Sequence, residues 1–250
     1  MAVVGLLVAA GSGERLGAGL PKAFVDCGGR PLLEWSLDAL RATCDRVVLA
    51  VPAGLEREDL DPAAARAASP GLRGDDVDRV AGAATRSGSV RAALSAAPAA
   101  TTVVVHDAAR PLLTASLVER CLAALEEGWD GAVAAARATD TLKEVGPEDG
   151  AVLRTLDRRV VWAAQTPQVF RAEVLRRALA VDEATLSAAS DDASLVEAAG
   201  GAVRVVEAPP DNLKVTSSLD LRIAESRLFE RSGRGGASSS GPPPRDRSLA

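Results

Sequence analysis

The stretch V-V-G-L-L-V-A-A-G-S-G-E-R-L-G-A-G-L-P-K, Val3 to Lys22, decides how the rest of the chain is read. Val3, Val4, Leu6, Leu7 and Val8 form a short apolar run, the mark of a strand buried on both faces of a parallel sheet. The run breaks into Gly11, Gly13, Gly17 and Gly19, which let a backbone turn sharply and approach a ligand closely. Arg15 and Lys22 place two cations in the same loop. Main-chain N–H groups beside two cations suit clustered negative charge, so the loop reads as a nucleoside triphosphate site.

Other glycine-rich loops fit less well. A Walker loop needs Gly-Lys-Ser/Thr after its spacer, and no such tripeptide follows Gly13. A dinucleotide fingerprint needs Gly where this chain has Leu16, and an acidic residue at the end of the next strand. The second apolar run, Val47 to Val51, ends instead in Pro52 and Ala53. Dinucleotide binding and a ligand-free surface loop remain the alternatives. The third class is strand, Ala-Ala-Gly-x-Gly-x-Arg-Leu, spacer, Pro-Lys, carried here by Ala9, Ala10, Gly11, Gly13, Arg15, Leu16, Pro21 and Lys22. That pattern resembles the sugar-nucleotide and cytidylyl transferases.

With 250 residues the chain can form one substantial α/β domain or two small ones. Its hydrophobic share is 47% but its aromatic share only 2%, so the core must be aliphatic. A net charge of −5 gives no encouragement to nucleic-acid binding, and any anionic substrate must be held by local cations. Cys27, Cys44 and Cys121 lack metal-ligand or Cys-x-x-Cys spacing, which points to reduced thiols in a cytoplasmic protein. The apolar start lacks a basic leading region and is cut by Gly5, so no secretory leader is expected. No run of 18 apolar residues occurs, so no membrane span is expected either.

Further along, Pro31 to Leu40 reads as a helix and Val47 to Val51 as the second buried strand. Residues 53–76 suggest a peripheral helix and loop, and Val77 to Ala81 a weak third strand. The segment 82–90, G-A-A-T-R-S-G-S-V, leads into a helix that Ser87 or Ser89 could cap. Thr101 to His106 is a clear strand, followed by helix 116–127 and strand 131–136. Short β-like pieces at 141–145 and 152–156 flank Gly-Pro-Glu-Asp-Gly, which is hairpin grammar. Helices are expected at 171–181, 190–199 and 217–231, with a strand at 203–207 and a loop at 212–216. The fold expected is therefore α/β: a doubly wound, mostly parallel sheet in a single domain over 1–231, with an inserted β-hairpin arm near 137–160. Such an arm needs a surface to pack on, and a second subunit is the natural one. Residues 232–250 have too little apolar content to offset ordering and read as a disordered tail.

The strand at 101–106 delivers H-D-A-A-R-P, His106 to Pro111, to the edge where ligands of parallel sheets sit. Asp107 could orient a ribose hydroxyl or help hold Mg²⁺; Arg110 could contact a phosphate or a substrate hydroxyl. The alternative is a strand-end Asp that caps its turn and pairs with Arg110. His106 reads as a packed residue rather than a general base, because a phosphate monoester is already largely dianionic at neutral pH.

Together with R-S-G-S-V at 86–90, D-T-L-K at 140–143, L-D-R at 156–158, Q-T-P-Q at 165–168, S-D-D-A-S at 190–194 and D-N-L-K-V-T at 211–216, these motifs make a specific resemblance. The chain resembles the 2-C-methyl-D-erythritol 4-phosphate cytidylyltransferases of non-mevalonate isoprenoid biosynthesis, a nucleotide-diphospho-sugar transferase-like fold. The resemblance implies CMP transfer from CTP to that polyol phosphate with release of pyrophosphate, and Mg²⁺ as cofactor. It implies that Ala9, Ala10, Gly11 and Gly13 meet the nucleotide through main-chain groups, with Ala83 and Ser89 at the cytosine and Asp107 and Ala108 at the ribose. Arg15 and Lys22 would grip the triphosphate. Asp107, Arg110, Thr141, Arg158, Ser190 and Lys214 would surround the acceptor, Arg158 and Lys214 taking its phosphate. Thr141 and Arg158 would reach the neighbouring subunit's site in a homodimer with exchanged arms. Ala83 and Ala84 stand where the family usually has Gly and Asp, and Ala is tolerated there only at negative φ. A transferase for another polyol phosphate, such as ribitol 5-phosphate, and a non-catalytic nucleotide-binding protein are the rival readings.

Overall fold

The structure, a computed structural model, describes residues 2–11, 21–55 and 76–235. Gly13 and Arg15, most of the segment expected as a peripheral helix, and the tail from 236 onward lie outside the described residues.

Three apolar runs become the centre of a seven-stranded sheet. They are β1 (Val3–Val8), β4 (Arg46–Val51) and β6 (Thr102–Asp107). The edge beyond β4 is β5 (Val77–Ala81). The other half holds β7 (Gly131–Arg137), β10 (Trp162–Arg171) and β11 (Val203–Glu207). The order is β11-β7-β10-β6-β1-β4-β5. All neighbours run parallel except β10, which lies antiparallel between β6 and β7.

Side chains of successive residues in these strands go to opposite faces, and both faces are apolar. Leu7, Leu49 and Val104 pack on one side with Leu33, Leu37 and Leu40 of α1 (Leu32–Arg41) and Leu117 and Cys121 of α3 (Ala115–Glu126). Leu6, Val48, Val103 and Val105 pack on the other with Val90 and Leu94 of α2 (Arg86–Ser95), Leu175 of α4 (Ala172–Ala178), Leu186 of α5 (Glu183–Ala188) and Val196 of α6 (Asp192–Ala198). Each fully buried Leu contributes about 2 kcal/mol relative to exposure, which compensates for the scarcity of aromatic residues. A third cluster seats α7 (Ser218–Gly235) on β2 (Asp26–Cys27), with Cys27, Leu32, Val215 and Leu228 at its centre. β2 pairs with β3 (Arg30–Pro31) in a small separate ribbon.

The expected strands and most helices stand within two or three residues of their sequence-based limits. Four features differ. β10 is a strand, and α5 a helix, that the sequence pattern does not announce. α7 runs to Gly235, past the Arg231 expected as its end. Neither Ser87 nor Ser89 caps α2: Thr85 does, its hydroxyl accepting from Gly88 N at 3.0 Å. The helix begins at Arg86, so both serines fall inside its first turns. The hairpin β8 (Lys143–Val145) and β9 (Val152–Thr155) forms its own two-stranded sheet apart from the main one.

Candidate active site

β1 neighbours β4 on one side and β6 on the other, and Val8 pairs in register with Asp107. A crevice opens beyond these two strand ends, where a doubly wound sheet places its ligands. The cavity there measures about 180 Å³. Its lining includes Ala9, Ala10 and Gly11 after β1, and Lys22 at the start of a short 3-10 turn that buries Ala23 and Phe24. Ala83, Ala84, Thr85, Arg86 and Ser89 come from the start of α2, Asp107, Ala108 and Ala109 from the end of β6, and Lys214 from a distant loop. Of the residues expected at the site, Ala9, Ala10, Gly11, Lys22, Ala83, Ser89, Asp107, Ala108 and Lys214 therefore meet around one cavity.

The turn before α2 is tied by Ser89. Its hydroxyl accepts from Ala83 N at 3.0 Å and donates to Thr85 O at 2.9 Å. No described non-glycine residue has positive φ, so Ala83 and Ala84 are accommodated without torsional cost. Gly82 is required for a different reason: a Cβ there would collide with Ala10 Cβ and press on Ser89 Oγ and Val51 O.

Charge in the pocket is arranged around Asp107. Arg86 Nε donates to its Oδ1 at 2.8 Å, and Lys214 Nζ to its Oδ2 at 2.7 Å. Arg86 Nη1 reaches a second carboxylate, Asp192 Oδ2, at 2.6 Å. Burial pushes the Asp107 carboxyl up, but Arg86 and Lys214 outweigh it and hold the group well below the usual carboxylate range. Burial likewise raises Asp192, against the pull of Arg86.

Behind the pocket, His106 is fully buried and bonded at both nitrogens. Nε2 meets the Arg110 carbonyl at 3.2 Å and must carry the proton, since a carbonyl only accepts. Nδ1 then accepts from the Thr166 hydroxyl at 3.0 Å, which itself accepts from Asp107 N at 3.1 Å. Burial lowers the imidazole to about 4, so it is neutral at physiological pH and faces no ligand as a base. It fixes the backbone that presents Asp107.

The loop carrying Lys214 is anchored by Asn212, whose amide donates to Gln165 Oε1 at 2.8 Å and Thr166 O at 2.9 Å. Arg110, expected to touch phosphate or substrate, instead donates from Nη1 to the Asn212 carbonyl at 2.8 Å and does not line the cavity. Arg158, Thr141 and Ser190 are exposed and are not among the residues that line it; Arg158 Nη1 donates to Thr139 O on its own arm.

Asp107, considered as a magnesium ligand, has both oxygens engaged by cations, and it is the only acid among the described residues that line the cavity. No group of three or more described His, Cys, Asp or Glu could hold a metal. Among the described residues, therefore, the donor set does not make a protein-held metal site. Arg86, which lines the cavity, and Thr166, Gln168 and Asp192, which bond to the residues around it, are not singled out by residue-level reading, although R-S-G-S-V, Q-T-P-Q and S-D-D-A-S are visible as segments.

Residues 3–230 match the family described as 2-C-methyl-D-erythritol 4-phosphate cytidylyltransferase. The chain belongs to that family. The cytidylyltransferase of Nocardia farcinica is 43% identical over 232 residues, 92% of this chain and 95% of that protein. The "bifunctional enzyme IspD/IspF" of Anaeromyxobacter dehalogenans is 46% identical over 232 residues, 90% of this chain but only 57% of that longer protein. The crystal structure of the Thermus thermophilus cytidylyltransferase superposes with a TM-score of 0.73 at 37% identity, covering 92% of this chain and all of that one. The family's mostly parallel sheet and its β-hairpin are both present here.

Proposed function

We propose that this chain transfers CMP from CTP to 2-C-methyl-D-erythritol 4-phosphate, giving 4-diphosphocytidyl-2-C-methyl-D-erythritol and pyrophosphate for isoprenoid synthesis. The observation that carries the reading is the convergence of Ala9–Gly11, Lys22, Ser89, Asp107 and Lys214, distant in sequence, on one cavity at the β1–β6 switch point. A dianionic phosphate oxygen of the acceptor attacks the α-phosphorus of CTP. The bond from that phosphorus to the β-phosphate bridge oxygen breaks, and pyrophosphate leaves with the electron pair. No proton must be removed, which agrees with a neutral, enclosed His106.

In this reading the main chain of Ala9, Ala10 and Gly11, with Lys22, receives the triphosphate; the same role is proposed for Gly13 and Arg15, which lie outside the described residues. Ala83 and Ser89 face the base, Ala108 the ribose, and Asp107 lies between the ribose and the acceptor. Lys214 and Arg158 hold the acceptor phosphate, helped by Thr141 and Ser190, while Arg110 steadies the Lys214 loop through the Asn212 carbonyl. A divalent cation, magnesium being the usual partner of a triphosphate, would neutralise part of the phosphate charge, with Asp107 the one carboxylate of the described lining that could face it. The chain acts as a homodimer in which each arm brings Thr141 and Arg158 to the neighbouring site. Support comes from the arm's separate sheet and its exposed Val145, Val152, Leu153 and Val160. A cytoplasmic location fits three free thiols, and no described helix is long and apolar enough to cross a membrane.

The test is pyrophosphate release by purified protein with Mg²⁺, each of the four nucleoside triphosphates and either methylerythritol phosphate or ribitol 5-phosphate. Release with CTP and the methylerythritol acceptor is expected. Preference for ribitol 5-phosphate would refute the acceptor, and no release with any pair would refute catalysis.

A further inference from the structure

Arg86 lines the cavity but is not available as a simple phosphate ligand, because two carboxylates already divide it. Its planar fork is gripped on one edge by Asp192 and on the other holds Asp107. Asp107 in turn sets the place of the Lys214 ammonium, a point charge on a flexible, partly exposed stem. Asp192 itself is fully buried, 0% exposed, and its Oδ1 bonds to no described residue. An ion pair of that kind adds little to stability, since an apolar side chain of similar size would often do as well.

Capping does not account for it. The cap of α6 is Asp191, accepting from Ser194 N at 2.9 Å. Gln168 of β10 secures the same helix start, donating to Asp191 Oδ2 at 2.8 Å and accepting from Ala193 N at 3.1 Å. With the helix end satisfied by those two residues, the remaining partner of Asp192 is Arg86.

We infer that Asp192 is a positioning residue for the acceptor half of the reaction: the α6 carboxylate locks Arg86, Arg86 aims Asp107, and Asp107 presents Lys214 to the incoming phosphate. The inference rests on the placement of Lys214 and Asp107 at the acceptor given above. When the acceptor phosphate arrives, Lys214 exchanges Asp107 for it. Arg86, still anchored, keeps the exposed charge of Asp107 compensated and its carboxylate in place. Loss of the anchor frees Arg86 to swing, so Asp107 and Lys214 lose their setting while the Ala9–Gly11 and Lys22 side of the cavity is untouched.

The experiment is steady-state kinetics on the full chain for Asp192→Asn, Lys214→Ala and the double variant, with Asp192→Glu as the conservative change. Asp192→Asn should raise the acceptor KM about 10-fold and the CTP KM by no more than about threefold, the smaller shift reflecting the single ribose contact of Asp107 on the nucleotide side. Asp192→Glu should recover most of the loss. In the Lys214→Ala background, Asp192→Asn should cost less than about twofold more, because both act on the same contact. Equal damage to both KM values, or full additivity in the double variant, overturns the inference. If Asp192→Asn does not fold, Arg86→Lys, which keeps the charge and loses the fork, carries the same KM expectation and the same refutation.

A crystal structure of the substrate-free variant gives a reading independent of which acceptor is used. An Arg86 guanidinium displaced from Asp107 supports the inference, and an unmoved one refutes it. Should the wild-type protein prefer another polyol phosphate, the acceptor assignment falls and the KM split is read on that compound instead.

Discussion

Acidification gives the most direct check on the buried frame of the site. His106 is the only histidine in the chain, so its ring signals are unambiguous. Burial lowers it from an ordinary 6.5 to about 4, even though Asp107 and the bond to the Arg110 carbonyl pull the other way. As pH falls through 6.5 the unfolded chain takes up a proton that the folded chain refuses until near 4. Across that window the unfolded state binds more protons, so the native state loses stability as pH falls. For this pair of values the loss is about 2 kcal/mol at pH 5 and about 3 kcal/mol at pH 4. Two-dimensional NMR of the imidazole should give a midpoint near 4 in the folded protein. Urea unfolding at pH 7 and pH 5 should show a fall larger by about 2 kcal/mol in wild type than in His106→Gln, whose side chain does not titrate. A ring midpoint near 6.5, or identical falls in the two proteins, would refute the enclosed neutral imidazole. The corollary for catalysis is that any acid limb of the rate near pH 6 belongs to the acceptor phosphate, and His106→Gln should keep it.

Four further outcomes follow from named positions. Gly82→Ala should cost about 1–3 kcal/mol in urea unfolding and raise the CTP KM, because the new methyl forces apart the loops after β1 and β5; wild-type values in both would contradict that close approach. Thr85→Ala should lower stability by about 1 kcal/mol through loss of the α2 cap, with Thr85→Ser close to wild type by thermal melting. Lys22→Ala should slow turnover about 10²- to 10³-fold, by analogy with a lost oxyanion donor. Mixing it with Arg158→Ala subunits should restore part of the activity if arms are exchanged, and absence of recovery would argue for self-contained sites.

The parts of the site that are legible in the sequence are those whose chemistry is local. A glycine-rich turn after an apolar strand, and Asp107 at the end of T-T-V-V-V-H, announce themselves within a few residues. Arg158 and Thr141 are legible as motif members, yet they do not line the cavity, and the arm that carries them makes its own sheet. Arg110 lies close to Asp107 in the sequence, which invites a ligand role. In the fold its guanidinium is directed to Asn212 and steadies the loop of Lys214 from behind.

The strands β1, β4 and β6 were determined by sequence alone, since runs of Val and Leu have few places to go except between two layers of helices. The placement of β10 was not. Its W-A-A-Q-T-P-Q-V-F-R mixes polar residues with a proline, which argues against a central strand when read locally. The sheet accepts it because the register shifts between Ala164 and Gln168, leaving Pro167 where regular pairing with β7 is interrupted. The polar residues that disguise the strand are the ones that hold the site: Thr166 on His106 and Asp107, Gln165 on Asn212, Gln168 on the start of α6. Arg86 and Asp192 are 106 residues apart, and no spacing rule joins them. Their pairing exists only because packing two helices on one face of the sheet brings a cation and a carboxylate into the same dry corner, where each needs the other.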